Sequence, residues 1–355
     1  MRIGLVAPPF LQVPPAGYGG TELVVDTLAR GLQAAGHEVR LFTVGDSTCP
    51  VPKAWWYEHP VVPIGLGEAE VAHVTAAYAE LTDVDVIHDH TLMGPLAFAG
   101  RGVPPVVTTC HSRFSADLRP AYEQIAKFAA VVAISQSQRD SAPTVPVAAV
   151  IHHGIDLARY EVGPGCGGYL LFLARMCADK GPHRAIRIAR AAGRRLVLVA
   201  KMREAAEVAF FTTDVEPLLG ADVEVVGELG PAERVRLLGR ADALLNPIEW
   251  PEPFGLTMIE ALACGTPVLT LRHGAAAEIV TDGRTGFVRD RPAELVDCVS
   301  RLVSLDRAEC RAQAERRFSM ARMTADYVRV YEQALSGFGC RTSTVTGTLS
   351  ETGAG

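Results

Sequence analysis

The sequence predicts an α/β protein made of two doubly wound parallel sheets that face one another across a central cleft. Three observations predict it. The chain has 355 residues, too long for one ordinary core and suited to two domains. Its apolar segments are short, β-branched and continuous rather than alternating, which marks strands covered on both faces. Helical patterns lie between these segments, so strands and helices alternate along the chain in two successive series. Together these describe two Rossmann-like domains.

In the first series we read strands at Arg2–Ala7, Glu38–Val44, Val84–His88, Pro105–Thr109, Ala130–Ile134 and Ala148–His152. In the second we read Tyr169–Ala174, Arg195–Ala200, Val223–Val226, Ala243–Asn246 and Pro267–Leu271. The glycine-rich HHGIDLARYEVGPGCGG, residues 152–168, closes the first series. It separates an N-terminal domain, 1–158, from a C-terminal domain, 165–318. A last helical pattern occupies 319–336. Residues 337–355, GFGCRTSTVTGTLSETGAG, are small, polar and aperiodic, and are expected to form a disordered tail.

Bulk properties exclude several classes. The net charge is −6, against the basic field of a nucleic-acid-wrapping protein. The eight cysteines show neither CxxC nor a Cys/His metal spacing, as expected of reduced thiols in a cytoplasmic protein. MRIGLVAPPF lacks the apolar stretch and cleavage site of a signal peptide, and no apolar run is long enough to span a bilayer.

In a doubly wound sheet, ligands bind beyond the carboxyl ends of the strands, so the strand-end loops are where chemistry is expected. The first strand runs into PPFLQVPPAGYGGTE. Gly19-Gly20 there allow close approach of backbone to a ligand, and the helix that follows offers free N–H groups to an anion. Glu22 stands where a dinucleotide fingerprint needs its third glycine. In LARMCADKGPHRAIRIA, Arg175 ends a strand and Lys180 precedes Gly181-Pro182 at a helix start. Two cations beside a helix N-terminus suit a diphosphate. In PEPFGLTMIEALACG, Pro251 and Pro253 hold Glu252 outside the helix, and Glu260 lies inside it. A buried carboxylate needs donors, and vicinal sugar hydroxyls supply them to an acceptor-only group. DVDVIHDH, 83–90, and HHGID, 152–156, have spacings that a metal site can use, and are read instead as a strand end and a linker turn.

Taken together, Gly19-Gly20, His111, Arg175 with Lys180-Gly181, Glu252-Pro-Phe-Gly-Leu-Thr-Met-Ile-Glu260 and the later HGAAAEIVTDGRTGFV resemble the GT-B retaining glycosyltransferases of family 4. The likeness runs from Met1 to about Leu335. It implies a GT-B fold whose N-terminal domain takes the acceptor and whose C-terminal domain takes a nucleotide-sugar, with the last helix returning to the N-terminal domain. The activity implied is transfer of a hexose from a nucleoside-diphosphate sugar to an acceptor hydroxyl. It would proceed by a front-face path in which the leaving diphosphate takes the acceptor proton, without cofactor or metal. Glu260 would hold the ribose, Glu252 the donor sugar, and Arg175 and Lys180 the diphosphate. Backbone N–H groups of Phe254, Gly255 and Leu256 would face sugar and phosphate. Gly19 and Gly20 would approach the diphosphate from the other domain, His111 would meet the sugar, and the base would rest near Gly227-Glu228-Leu229. The acceptor is left open: a small glycoside, a natural product, or an envelope glycan or lipid reached by at most peripheral membrane contact. Two positions depart from the family pattern: His273 for a glycine before Gly274, and His153 for an asparagine before Gly154. Rival readings are a GT-B nucleotide-sugar epimerase, an NAD-dependent oxidoreductase, which the glycine pattern of the first loop does not fit, and a non-catalytic sugar-binding protein.

Overall fold

The computed structural model describes residues 1–341, with side chains to residue 337. The N-terminal sheet contains β1 (Arg2–Val6), β2 (Glu38–Thr43), β3 (Lys53–Trp55), β4 (Val86–Asp89), β5 (Val106–Thr109), β6 (Ala129–Ala133) and β7 (Val147–Val150). The C-terminal sheet contains β8 (Tyr169–Arg175), β9 (Arg195–Lys201), β10 (Val223–Val226), β11 (Ala243–Asn246), β12 (Val268–Leu271) and β13 (Gly286–Arg289). Their orders are β3-β2-β1-β4-β5-β6-β7 and β10-β9-β8-β11-β12-β13, with parallel pairings throughout. The second sheet therefore repeats the winding of the first, and each reverses direction beside its own first strand. These switch points lie between β1 and β4 and between β8 and β11. They are where such sheets bind ligands.

The sheets contain two strands that the hydrophobic pattern does not reveal. β3 is three residues long, half-exposed, and pairs with β2 alone at a sheet edge. β13 pairs with β12 alone and opens on Gly286, where a Cβ would lie 2.0 Å from the Val268 carbonyl oxygen. Short edge strands need no continuous apolar run, so they leave little trace in the sequence.

Each sheet is packed on both faces. One N-terminal core joins Ile3, Leu5, Val24, Leu28 and Leu41 to Met323, Tyr327, Val330 and Tyr331 of the C-terminal helix. That helix, Met320–Arg341, thus completes the core of the N-terminal domain after the chain has left the C-terminal one. It runs past residue 336, which corrects the expected start of the disordered tail at Gly337; a helix already anchored by packing carries Gly337 at modest cost. The rest of the expected tail, 342–355, lies outside the described residues. The two crossings between domains run side by side. The Ile155 N–H donates to the Phe318 carbonyl at 2.9 Å, and the Met320 N–H to the Ile155 carbonyl at 2.9 Å.

Candidate active site

A cavity of about 550 Å³ lies between the domains. On its C-terminal wall the helix Leu256–Ala263 begins at Gly255, which has a left-handed φ of 114°. A side chain at that φ would be strained, which favours glycine; the 2.5 Å approach of a Cβ to the Met258 Cε could be relieved by moving the methionine. Phe254, Gly255, Leu256 and Thr257 line the cavity at a helix end whose first N–H groups have no intrahelical acceptor. The loop before it is pinned from behind. The Ala275 N–H donates to the Glu252 carbonyl at 3.0 Å, and a Cβ on Gly274 (φ 56°) would sit 2.1 Å from the same oxygen. The close approach of backbone is made at Gly274, one position after His273.

Glu252 is held by two donors. Lys180 Nζ and Trp250 Nε1 each lie 2.5 Å from its Oε2. Lys180 is 9% exposed and stands just ahead of Gly181, whose φ of 78° starts the helix Pro182–Ala191. Arg175 does not line the cavity. It is half-buried beside Tyr18, while Lys201, its register partner at the end of β9, does line it. The sequence reading missed Lys201; the signal available was its level with Arg175 on the neighbouring strand.

Glu260 is buried in the cavity wall, and its Oε1 accepts from the Tyr160 hydroxyl at 3.0 Å. Burial raises its pKa, against opposing pulls from Arg234 and Tyr160. Tyr160 comes from the linker and Arg234 from the helix Pro231–Arg240, so neither was evident from the local sequence. Leu229 lines the cavity beside Glu228. Glu228 joins the two domains: its Oε1 accepts from the Tyr18 N–H at 2.7 Å and its Oε2 lies 2.7 Å from Arg203.

On the N-terminal side the cation lining the cavity among the described residues is Arg159, ion-paired to Asp26 and Asp156. Gly19 is the extended residue ahead of the helix Gly20–Ala34, and a Cβ on Gly20 would lie 3.5 Å from Leu256 Cδ1. The starts of two helices, one from each domain, therefore meet at the cavity. His111, just beyond β5, faces the same space. Its Nε2 lies 2.9 Å from His90 Nδ1. Its ring stacks on that of His153, 5.3 Å between centroids, and His153 in turn meets Phe254 edge-on. Burial lowers the His111 pKa to about 4, keeping the ring neutral.

Other residues singled out from the sequence lie outside the cavity. Glu278 fastens the domains: its carboxylate accepts from the Gln136 N–H at 2.8 Å, the Ser137 N–H at 2.7 Å and His152 Nε2 at 2.8 Å. Within DVDVIHDH, His88 bonds Tyr331 and Thr109, and Asp89 accepts from Tyr78 and the Thr91 N–H. Among the described residues no group of three or more His, Cys, Asp or Glu side chains has the arrangement to hold a metal ion.

Two paired domains of this winding, with a cleft between them where glycine-opened helices meet, mark the GT-B class of glycosyltransferases, and sequence comparison agrees. The family model Glycosyltransferase Family 4 matches residues 18–159, and Glycosyl transferases group 1 matches residues 166–317. The chain belongs to glycosyltransferase family 4, a hexosyltransferase of the GT-B fold.

Among individual proteins, it is similar to a phosphatidyl-myo-inositol mannosyltransferase of Mycolicibacterium smegmatis, 28% identical over 96% of each chain. It is also similar to AviGT4, a glycosyltransferase involved in avilamycin A biosynthesis. That structure is 28% identical, has a TM-score of 0.70, and is matched over 95% of this chain and 98% of its own. The fold is shared with sucrose-phosphate synthase from Thermosynechococcus elongatus, at 19% identity, a TM-score of 0.80, and coverage of 95% of this chain and 99% of that one. It is shared as well with Anabaena HepE in complex with UDP and glucose, at 20% identity, a TM-score of 0.75, and coverage of 94% and 99%.

Proposed function

We propose that the protein moves a hexose from a nucleoside-diphosphate donor to an acceptor hydroxyl with retention of anomeric configuration. The observation that carries this reading is the Lys180–Glu252 pair, set at the mouth of the Leu256 helix and opposite Gly20. The diphosphate lies between the two helix starts, where N–H groups and Lys180, with Lys201 and Arg175 behind, meet the charge that builds as the glycosidic bond breaks. Glu260 takes the ribose hydroxyls, with Tyr160 fixing one of its oxygens. Glu252 takes the hexose, and His111 reaches it from the N-terminal wall. The base rests against Leu229.

The leaving phosphate oxygen accepts the acceptor's proton on the same face of the sugar, so the reaction needs no side-chain base. Cationic side chains do the work a divalent ion would do elsewhere, so we propose that no metal is required. Free thiols at Cys49, Cys110, Cys264, Cys298 and Cys310, all buried, suit a reducing cytoplasm. Among the described residues no helix is long and apolar enough to cross a membrane. The mannosyltransferase relative, and HepE with its bound UDP and glucose, support a hexose donor.

The experiment is a thermal-shift panel of UDP-, GDP-, ADP- and dTDP-hexoses, since a bound donor raises apparent stability. Product analysis by NMR with the donor that binds then reads the anomeric configuration. An inverted product overturns retention, and an epimerised nucleotide-sugar overturns transfer. Turnover abolished by EDTA and restored by Mg²⁺ overturns the metal-free mechanism.

A further inference from the structure

We propose that His90 is a positioning residue that fixes which nitrogen of His111 faces the cleft. The proposal rests on the glycosyl-transfer reading, in which His111 contacts the donor sugar. His90 follows β4 and is buried. Its ring lies against that of His88, 4.1 Å between centroids. His88 has both nitrogens engaged, Nδ1 with the Tyr331 hydroxyl at 2.7 Å and Nε2 with the Thr109 hydroxyl at 2.8 Å. His90 is thus clamped from one side and bonded to His111 on the other, Nδ1 to Nε2 at 2.9 Å.

Both rings are kept neutral by burial. A bond between two neutral imidazoles has one donor and one acceptor, so the two proton positions are linked. His90 Nε2 decides between them, because it is buried and meets no partner among the described residues. A proton on that nitrogen would leave a buried N–H unpaired, which folded proteins avoid more strongly than an unpaired acceptor. The proton therefore sits on Nδ1, and His90 donates to His111 Nε2. His111 then carries its own proton on Nδ1, at the edge of a ring that lines the cavity. Held this way, His111 presents an N–H donor to a hydroxyl oxygen of the sugar.

Long-range ¹H–¹⁵N spectra of the ¹⁵N-histidine-labelled protein read the tautomer directly, without any substrate. The wild type is expected to show His111 protonated on Nδ1, and His90→Asn, whose amide reproduces the donor at that place, is expected to keep it. His90→Leu is expected to release it and to lower kcat by about tenfold or more, with nucleoside-diphosphate affinity kept within about twofold. His90→Asn should stay within about threefold of wild-type kcat. Turnover is measured with whichever of the UDP-, GDP-, ADP- or dTDP-hexoses the wild type consumes. A wild-type His111 protonated on Nε2 overturns the proposal. So does a folded His90→Leu with unchanged kcat, or a folded His90→Asn as slow as His90→Leu. If His90→Leu does not fold, the spectra of the wild type and His90→Asn decide. If the wild type consumes no donor, the transfer reading fails, while the tautomer is still read.

Discussion

The two walls of the cleft rest on sheets of the same winding yet present different chemistry. The C-terminal wall is ionic: Lys180 paired with Glu252, Lys201 at a strand end, and Glu260 between Tyr160 and Arg234. The N-terminal wall is mainly neutral: glycine backbone at Gly19 and Gly20 and the imidazole of His111, which burial keeps uncharged, with Arg159 ion-paired to Asp26 and Asp156. The difference teaches where the charge of the reaction is handled. A nucleoside diphosphate brings permanent negative charge and binds where fixed cations are worth the cost of burying them. In the proposed reading the transferred hexose is neutral, and neutral donors orient it without competing for the phosphate.

The division can be broken most severely at Lys180. Lys180→Ala is expected to lower kcat on the order of a hundred- to a thousandfold, as loss of a fixed electrostatic group does, with circular dichroism unchanged; a loss under tenfold would move the charge-bearing role to Lys201 and Arg175. Glu260→Gln should weaken free nucleoside diphosphate and intact donor alike, by about ten- to a hundredfold, as expected of a lost charged hydrogen bond. Glu252→Gln should spare nucleoside-diphosphate affinity, since it frees Lys180 for the phosphate, and depress kcat/KM for the full donor. Calorimetry of both variants sharpens the comparison, and equal losses of diphosphate affinity would abolish the split between ribose and sugar. His111→Ala should cost kcat about tenfold while nucleoside-diphosphate affinity holds, because the neutral wall does not carry the nucleotide.

The smallest effect concerns pH. Burial lowers the His111 and His73 pKa values to about 4 and that of His88 to about 3. These rings are neutral in the native N-terminal domain, whereas in the unfolded chain they take up protons below about 6.5. The unfolded state then binds more protons, so their contribution is complete above that pH and is lost as pH falls toward the native values. Glu22, raised by burial to about 7, Asp89, raised to about 6, and Glu260, also raised by burial, act oppositely by holding protons in the native state. With His90 and His153, also lowered by burial, the histidines outnumber them, so Tm should fall from pH 7 to pH 5, and His111→Ala should flatten the slope. An unchanged slope would mean that His111 is protonated in the native protein.

The parts of the site legible in the sequence are those where a charge sits beside backbone punctuation. Glu252 stood out because Pro251 and Pro253 flank it, Lys180 because Gly181-Pro182 follows it, and Glu260 because it interrupts an apolar helix. Tyr160 and Arg234 carry no such marks; a linker and a helix face bring them to the cleft through tertiary packing. Lys201 became meaningful once the register placed it across from Arg175. His90 was read as the end of a strand, and its significance lies in a neighbour 21 positions away. The strands missed, Lys53–Trp55 and Gly286–Arg289, are short edges whose pairing rather than composition makes them strands.

The return of the last helix sets an order of assembly. The N-terminal domain leaves the ribosome first, but Met323, Tyr327, Val330 and Tyr331 of its core are made last. Until they arrive, Leu28 and Leu32 lack their cover and the buried His88 lacks the Tyr331 hydroxyl. The domain synthesised first is therefore finished only after the whole C-terminal domain has been translated. A chain cut short after Ser319 would hold an open apolar face and invite aggregation.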